Sequence, residues 1–229
     1  NNHIFTLYCD RKGRMWIGTF GGGLDLAIKE NNRYTFRHFF TKTFGQRRTR
    51  AIIEDSNGWI WVGNSDGVYV FSPDSLQADP QNYLTYNYNN GKLRSNEIKC
   101  IYQDTQNRIW IGSSGGGLSM CIPGTDYHNL TFKHYGTSNG LVNDMVQAIA
   151  EDKQGNLWIA TEYGISRFNP ETQAFDNYFF SAYTLGNVYS DNSSCVSKNG
   201  SLLFGTNYGL LVINPEQMGN NSVLNSSIT

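Results

Sequence analysis

The sequence predicts an all-β fold of β-propeller blades, with five four-stranded repeats arranged in series. A motif of Asp-x-x-Gly or Asp-x-x-Asn followed by Trp-Ile-Gly occurs five times in 229 residues, although its last copy is degenerate. The anchor positions are 16, 61, 110, 158 and 203, so consecutive copies lie 45, 49, 48 and 45 residues apart. A regular period in the forties is typical of a propeller blade of four strands.

Within a repeat, the pattern predicts three strands joined by tight turns. In the third copy, residues 98–103 form the first strand because they are rich in β-branched and aromatic side chains. Residues 104–107 form a turn, since Asp and Asn hydrogen-bond their own backbone. A second strand over 108–112, a glycine turn over 115–117 and a third strand over 118–122 complete the pattern.

A fourth, outer strand is predicted from aromatic residues placed three apart after a polar loop. The pairs are Phe36 and Phe39, Tyr83 and Tyr86, Phe132 and Tyr135, and Phe175 and Tyr178. The predicted repeats cover residues 1–215, with approximate boundaries 1–43, 44–92, 93–140, 141–184 and 185–215. Residues 216–229 then supply either a last outer strand, through Ser222 to Leu224, or a linker. Since the chain begins at a first strand, we expect it to be a piece of a longer protein.

The recurring tryptophan of each repeat is predicted to be structural. A residue that recurs at a fixed place in every repeat serves the repeat, and an indole has a large apolar area to bury. These wedge residues are Trp16, Trp61, Trp110 and Trp158. The small residue two positions later is expected to mark a close approach of neighbouring backbone. The aspartates of the turns, Asp10, Asp55, Asp104 and Asp152, are interpreted as turn caps.

The composition of the chain narrows the range of functions to be expected. The net charge is −1 and the pI is about 6.5, so no basic excess exists to hold the phosphates of a nucleic acid. No apolar run approaches the roughly 20 residues that span a bilayer, so we expect no membrane contact here. The four cysteines lack clustered spacing. We expect free thiols, no metal site and no cofactor.

Catalysis is not indicated by the sequence. His38 and His134 occupy equivalent places on outer strands, in Thr-Phe-Arg-His-Phe and Thr-Phe-Lys-His-Tyr. A repeated, peripheral histidine is more often structural or solvated than catalytic. The sequence also has no nucleophile elbow, zinc motif or phosphate loop. We therefore predict no catalytic residue.

One rim of the propeller is the predicted binding face. The segments that lead into each first strand, and the turns between second and third strands, vary in polar and aromatic residues over a uniform scaffold. The segment over residues 44–50 carries the densest positive cluster of the chain. The candidate ligand-binding residues are Arg47, Arg48, Arg50, Asn96, Asn143, Tyr163, Asn187, Tyr189 and Tyr208. The alternative is a solvated loop whose arginines pair with Glu54 or Asp66.

These features resemble the two-component regulator propeller repeat. The resemblance rests on Asp-x-x-Gly-x-x-Trp-Ile-Gly-Thr, on the following Gly-Gly-Gly-Leu or Tyr-Gly-Ile, and on the Leu-x-x-Asn approach to the next first strand. It covers about residues 4–215. Two departures are that only five repeats are present and that Leu203 replaces the fifth tryptophan.

The resemblance implies the periplasmic sensor region of a Bacteroidetes-type hybrid two-component protein, whose full length includes a histidine kinase. In that family, propellers of about seven blades precede a β-sandwich domain. The chain would then be a non-enzymatic, C-terminal part of such a propeller. Its expected ligand is an oligosaccharide. An open array of five blades would also self-associate, most simply as a homodimer. A scaffold for protein–protein interaction and a propeller lyase are the alternatives.

Overall fold

The computed structural model describes residues 3–43, 47–179 and 189–218. In this part of the chain, five antiparallel sheets follow one another in sequence order. The fold class is therefore confirmed. The suggested strand from Ser222 to Leu224 lies outside the described residues, and the fifth sheet has three strands in the part that the structure describes.

The strands follow the predicted pattern closely in the first two repeats. Repeat one contains β1 (Ile4–Cys9), β2 (Met15–Thr19), β3 (Leu24–Glu30) and β4 (Arg33–Phe39). Repeat two contains β5 (Ala51–Glu54), β6 (Ile60–Asn64), β7 (Gly67–Phe71) and β8 (Leu84–Tyr86). A short helix, α1 (Pro73–Ala78), lies between β7 and β8. No helix in the described ranges is both long and apolar enough to cross a membrane.

The remaining repeats keep the same order. Repeat three contains β9 (Ile98–Gln103), β10 (Ile109–Ser113), β11 (Gly117–Cys121) and β12 (Lys133–Tyr135). Repeat four contains β13 (Val146–Glu151), β14 (Leu157–Thr161), β15 (Ile165–Asn169) and β16 (Ala174–Tyr178). Repeat five contains β17 (Tyr189–Val196), β18 (Leu202–Thr206) and β19 (Gly209–Ile213). The first strands pack in series from β1 through β5, β9 and β13 to β17, so they form the inner layer.

Each tryptophan is fully buried between its own repeat and the next one. Trp16 contacts Phe71 of repeat two with ring centroids 5.5 Å apart, and Trp110 contacts Phe168 of repeat four at 5.7 Å. The second aromatic of each outer strand packs on the tryptophan of its own repeat; Phe39 lies 6.2 Å from Trp16. The four tryptophans thus lie between blades, in the place expected of wedge residues.

The turn aspartates do more than cap a turn. In repeat three, Asp104 Oδ1 accepts hydrogen bonds from the backbone N–H groups of Gln106 and Arg108. Its Oδ2 accepts the indole N–H of Trp110 at 2.7 Å. Asp10, Asp55 and Asp152 make the same three bonds in their own repeats. One carboxylate thus fixes the turn and satisfies the polar atom of the wedge.

The close approach at the small residues involves side chains rather than backbone, which corrects the expectation. A methyl group added at Gly63 would lie 2.7 Å from Ile98 Cγ2, and one added at Gly18 would lie 2.6 Å from Thr49 Cγ2. Both contacts come from the segment or strand that begins the next repeat. These glycines therefore make room for the neighbouring repeat's side chains.

Candidate functional site

Backbone hydrogen bonds connect the turns and the entering segments that make up the predicted rim. In repeats one and three, the turn between the second and third strands bonds to the segment that enters the next repeat. The backbone N–H of Gly21 donates to the carbonyl of Arg47, and the N–H of Gly115 donates to the carbonyl of Asp144. In repeat four, the N–H of Glu162 donates to the carbonyl of Met145, in the segment that enters the same repeat. The variable segments are therefore held by backbone contacts, and their side chains are free to differ between repeats.

An extra residue interrupts the first strand of repeats one, three and four near this rim. The pairing between first and second strands skips Phe5 in repeat one, Lys99 in repeat three and Gln147 in repeat four. Arg50 takes the same place directly before Ala51, which pairs with Gly63. A bulge of this kind leaves one residue unpaired and changes the direction of its side chain. We call this place the bulge position.

In repeat five the interruption is longer. Tyr189 pairs with Thr206, but the next pairing is between Ser194 and Phe204, so residues 190–193 are skipped. Asp191 lies within this skipped stretch. The innermost strands of the five repeats thus carry aromatic, cationic, amide and anionic side chains at corresponding places.

Several of these side chains meet across the inner layer. Arg50 Nη2 lies 2.7 Å from Glu97 Oε1, and Arg50 Nε lies 2.9 Å from Asp191 Oδ2. Lys99 Nζ lies 3.3 Å from the same oxygen of Asp191 and 3.9 Å from Glu97 Oε1. Because Arg50 belongs to repeat two and Asp191 to repeat five, these contacts span non-adjacent repeats. We call these four residues, together with Gln147 at the bulge position of the intervening strand β13, the axis cluster.

The axis cluster contains buried polar atoms that lack a hydrogen-bond partner among the described residues. Arg50 and Gln147 are only 6% and 5% exposed. Arg50 Nη1 and Gln147 Oε1 have no partner there, although Gln147 Nε2 donates to Glu162 Oε1 at 3.1 Å. A buried polar group without a partner destabilises the folded state by about 1–3 kcal/mol. The described residues therefore leave this hydrogen-bonding capacity unused.

The structure separates the three arginines that the sequence grouped together. Arg47 donates to the carbonyl of Thr43 and pairs with Asp66 at 3.2 Å, as the solvated-loop alternative expects. Arg48 is exposed and lies over the rings of Phe5 and Phe20, 5.7 and 5.3 Å from their centroids. Arg50 alone enters the inner layer.

The predicted amides have local roles. Asn96 Oδ1 accepts the backbone N–H of Tyr88 at 2.7 Å, and Asn143 Oδ1 accepts that of Met145 at 2.8 Å. Both residues therefore shape the segments that enter repeats three and four. Asn187 lies outside the described residues.

The predicted aromatic residues do not form one platform. Tyr163 and Tyr208 are exposed on the rim, at 61% and 63%. Tyr189 was expected beside them, but its side chain is buried in the core between repeats four and five, near Phe204. Burial raises the pKa of Tyr189 to about 12. The rim placement of Tyr189 is therefore corrected, because its ring fills the core instead.

Glu97, Lys99, Gln147 and Asp191 were missed in the sequence, although a signal exists for Lys99 and Gln147. Residues 5, 50, 99 and 147 each lie 11 positions before the tryptophan of their repeat. In a conserved register, a fixed offset that carries Phe, Arg, Lys and Gln marks a site where the scaffold tolerates variation. The loops, and not this strand position, were expected to carry the binding residues.

The histidines lie on outer strands, as expected. His38 Nδ1 is 2.7 Å from Asp25 Oδ1, and His134 Nδ1 is 2.8 Å from Ser119 Oγ. Among the described residues, no three His, Cys, Asp or Glu side chains are grouped so that they could hold a metal ion. Cys9, Cys100, Cys121 and Cys195 are free thiols, of which the second and third are buried.

Comparisons with known proteins agree with this architecture. The model of the two component regulator propeller matches residues 1–21, 44–66, 92–115 and 140–163. The chain is 27% identical to the extracellular domain of a protein from B. thetaiotaomicron, BT3049, described as a hybrid two component system. The TM-score of that likeness is 0.80, and it covers 93% of this chain and 28% of the other.

Two further similarities are more distant. Histidine kinase P4 of Formosa agariphila is 24% identical over 188 residues, which are 81% of this chain and 13% of that protein. Virginiamycin B lyase from Staphylococcus aureus is 12% identical with a TM-score of 0.67, over 93% of this chain and 67% of the lyase. The lyase likeness shows the propeller fold alone. The chain spans less than a third of the two signalling proteins it matches.

Proposed function

The chain is built from two-component regulator propeller repeats, and we propose that it is the extracytoplasmic ligand-sensing part of a hybrid two-component signalling protein. The ligand in this proposal is an oligosaccharide, and the readout is the activity of a histidine kinase elsewhere in the polypeptide. The compartment is the periplasm. The main support is the likeness over nearly the whole chain to the extracellular domain of BT3049.

The structure supports a binding role through its division into scaffold and rim. The opposite ends of the sheets repeat one arrangement, in which an aspartate, a turn and a tryptophan are bonded together. The rim and the axis cluster carry different side chains in every repeat. A uniform framework that displays varied polar and aromatic groups is typical of a recognition surface.

Within this proposal, the exposed rim residues are candidate ligand contacts. Arg48, Tyr163 and Tyr208 offer a guanidinium plane and two phenol rings to solvent. Arginine donates in a planar fork, and an aromatic ring can pack on the apolar face of a ligand. Arg48, Tyr163 and Tyr208 are therefore proposed as contacts of the ligand.

Oligosaccharide binding is tested by measuring the unfolding midpoint of the protein against a panel of oligosaccharides, followed by calorimetric titration of any hit. A ligand that binds only the folded state stabilises it by about 2.7 kcal/mol at a concentration 100 times its Kd. We expect at least one member to raise the midpoint in a concentration-dependent way. A panel in which no oligosaccharide does so would argue against sugar sensing and favour a protein-interaction scaffold.

A further inference from the structure

The axis cluster consists of polar side chains on the first strands of repeats two to five and on the segments that enter them, and four of the five are in ionic contact. Arg50 reaches Asp191 across the intervening first strands, β9 and β13. The strand pairing skips Lys99 and Gln147, which frees their side chains from the sheet, and Arg50 has the same offset from the tryptophan of its repeat. Nothing in the framework requires Arg, Lys or Gln there, since repeat one has Phe5 at the same offset from its tryptophan.

The charges of the axis cluster are already balanced. Arg50 and Lys99 supply two positive charges, and Glu97 and Asp191 supply two negative charges, all within ion-pair distance. Glu162, which is bonded to Gln147, adds a further carboxylate at its border. An anionic ligand would have to break an existing ion pair or lie beside these carboxylates. Both cost free energy in a partly dehydrated site.

The buried atoms without a hydrogen-bond partner include both a donor and an acceptor. Arg50 Nη1 is a donor without an acceptor, and Gln147 Oε1 is an acceptor without a donor, among the residues that the structure describes. Both side chains are more than nine-tenths buried. A hydroxyl group is uncharged and both accepts and donates hydrogen bonds, with two lone pairs and one proton. A ligand with several hydroxyl groups would satisfy both atoms.

We propose that the axis cluster binds an uncharged ligand rich in hydroxyl groups, which accepts a hydrogen bond from Arg50 Nη1 and donates one to Gln147 Oε1. This proposal rests on the sensing function proposed above and specifies the place and charge of the ligand. Repeat one has the half-exposed ring of Phe5 at the same offset, where it contacts Phe20 and lies under Arg48. A few precisely placed polar groups are typical of small-ligand recognition.

The test uses matched pairs of oligosaccharides that differ only in charge. Gluco-, galacto- and manno-oligosaccharides are titrated into the protein beside the corresponding uronic-acid oligomers, at equal length and linkage. We expect a neutral member to bind and its acidic counterpart to bind at least tenfold more weakly. Tighter binding of an acidic member would overturn the proposal.

Two substitutions locate the site. Arg50→Lys retains the charge but removes the free Nη1 donor, and Gln147→Met retains the length but removes the acceptor. Each is expected to weaken binding by about tenfold to a hundredfold, the range for a hydrogen bond to a charged or buried group. Arg37→Lys, on the exposed outer strand β4, is the matched control and should bind as the parent does.

The outcomes separate the two proposals. If a neutral sugar binds the parent and both folded variants equally, the axis cluster is not the site, although sugar sensing stands. If no sugar of the panel binds the parent, the proposed function and the proposed site are both refuted. The unfolding midpoint of each variant is measured first. If Arg50→Lys does not fold, the result with Gln147→Met decides.

Discussion

At the scale of single residues, the aspartate and the tryptophan of each repeat form one unit. Oδ2 of the aspartate accepts the indole N–H at 2.7–3.0 Å in all four well-formed repeats. Repeat five lacks both partners, because Ser197 and Leu203 take their places. Ser197 Oγ instead bonds the carbonyl of Ser201 within the turn. A leucine needs no acceptor, so losing both partners leaves no polar atom unsatisfied.

This pairing predicts strong coupling between Asp104 and Trp110. We expect Asp104→Ser and Trp110→Leu each to lower the free energy of unfolding by about 2–4 kcal/mol, since each removes buried contacts and leaves its partner unsatisfied. The double variant should lose about 1–3 kcal/mol less than the sum. Urea denaturation of the four proteins measures this coupling.

A second cycle is the control for the first. Asp104 and Trp158 belong to different repeats and share no hydrogen bond, because Trp158 bonds Asp152. Their substitutions should add to within about 0.5 kcal/mol. Additivity in the Asp104–Trp110 cycle as well would show that the aspartate acts only on its turn.

The lowered pKa of His134 predicts that the stability of the protein depends on pH. Burial, together with the positive charge of Arg94, lowers the pKa of His134 below its usual value near 6.5. The unfolded chain therefore binds a proton more readily than the folded one. The stability that neutral His134 contributes is present above about pH 6.5 and is lost as the pH falls below that value.

His134→Gln isolates this effect. We expect the free energy of unfolding of the parent to fall more steeply between pH 7 and pH 5 than that of the variant. Denaturant unfolding at half-unit pH steps measures both slopes. Above pH 7.5 the difference between the two proteins should be constant, because the imidazole is neutral in both states. Equal slopes below pH 6.5 would contradict the prediction.

At the scale of strands and turns, a carboxylate at the end of one first strand fixes the turn of the preceding repeat. Glu54, the last residue of β5, accepts the backbone N–H of Arg11 at 2.8 Å. Glu151, the last residue of β13, accepts the N–H and hydroxyl of Thr105 at 2.9 and 2.7 Å. These bonds connect neighbouring repeats at the end opposite to the rim, so they set how adjacent sheets are joined.

Removing this connection should destabilise the joint between repeats three and four. Glu151→Ala removes the charged acceptor of the N–H and hydroxyl of Thr105, and we expect a loss of about 1–3 kcal/mol in the free energy of unfolding, the range for a hydrogen bond to a charged group. Glu171→Ala is the matched control, because Glu171 forms an exposed ion pair with Arg108 at 3.1 Å. Exposed pairs contribute about 0–1 kcal/mol. Equal losses in the two variants would refute the role of Glu151.

At the scale of the whole molecule, the two ends of the array present faces that are buried elsewhere in the protein. Leu7 is 59% exposed, whereas its counterparts in the next three repeats, Ile52, Ile101 and Ile149, pack against the preceding repeat. At the other end, Leu210 is 42% exposed. Leu210 pairs with Gly205, the small residue of its second strand. In the other four repeats, the residue that pairs with the corresponding Gly or Ala is fully buried: Leu24, Val68, Leu118 and Ile165.

The two exposed end faces correspond to the two sides that pack together at every internal joint. In each of the four internal joints, the tryptophan side of one sheet packs on the opposite side of the next. In the described residues, β1 and β17 make no extended contact that would join the ends. The exposed apolar area therefore has the shape that another repeat of this type covers.

We expect the protein to associate through these faces when no further repeat covers them. Light scattering over a range of concentrations should show a rising average mass, since exposed apolar faces of this extent favour association. Leu7→Lys and Leu210→Lys should each reduce it, because a charge would be buried in the contact. Ile122→Lys removes an equally exposed residue of repeat three and should change nothing. A monomer at every concentration would contradict the expectation.

The sequence by itself determined the repeat, the strand order and the structural role of the tryptophans. It could do so because each blade is a local unit, in which neighbouring strands pair through short turns whose chemistry is written in adjacent residues. The first strand of repeat three, predicted over residues 98–103, is observed as Ile98–Gln103. The rim segments were likewise found from their variation.

Only the tertiary structure decided which side chains meet. Arg47, Arg48 and Arg50 lie within four residues of sequence, yet one pairs with Asp66, one lies over aromatic rings and one enters the axis cluster. The contact between Arg50 and Asp191 joins residues 141 positions apart, which no local pattern encodes. It depends on how much each sheet turns relative to the last, and that angle is set by the summed packing of the joints between repeats.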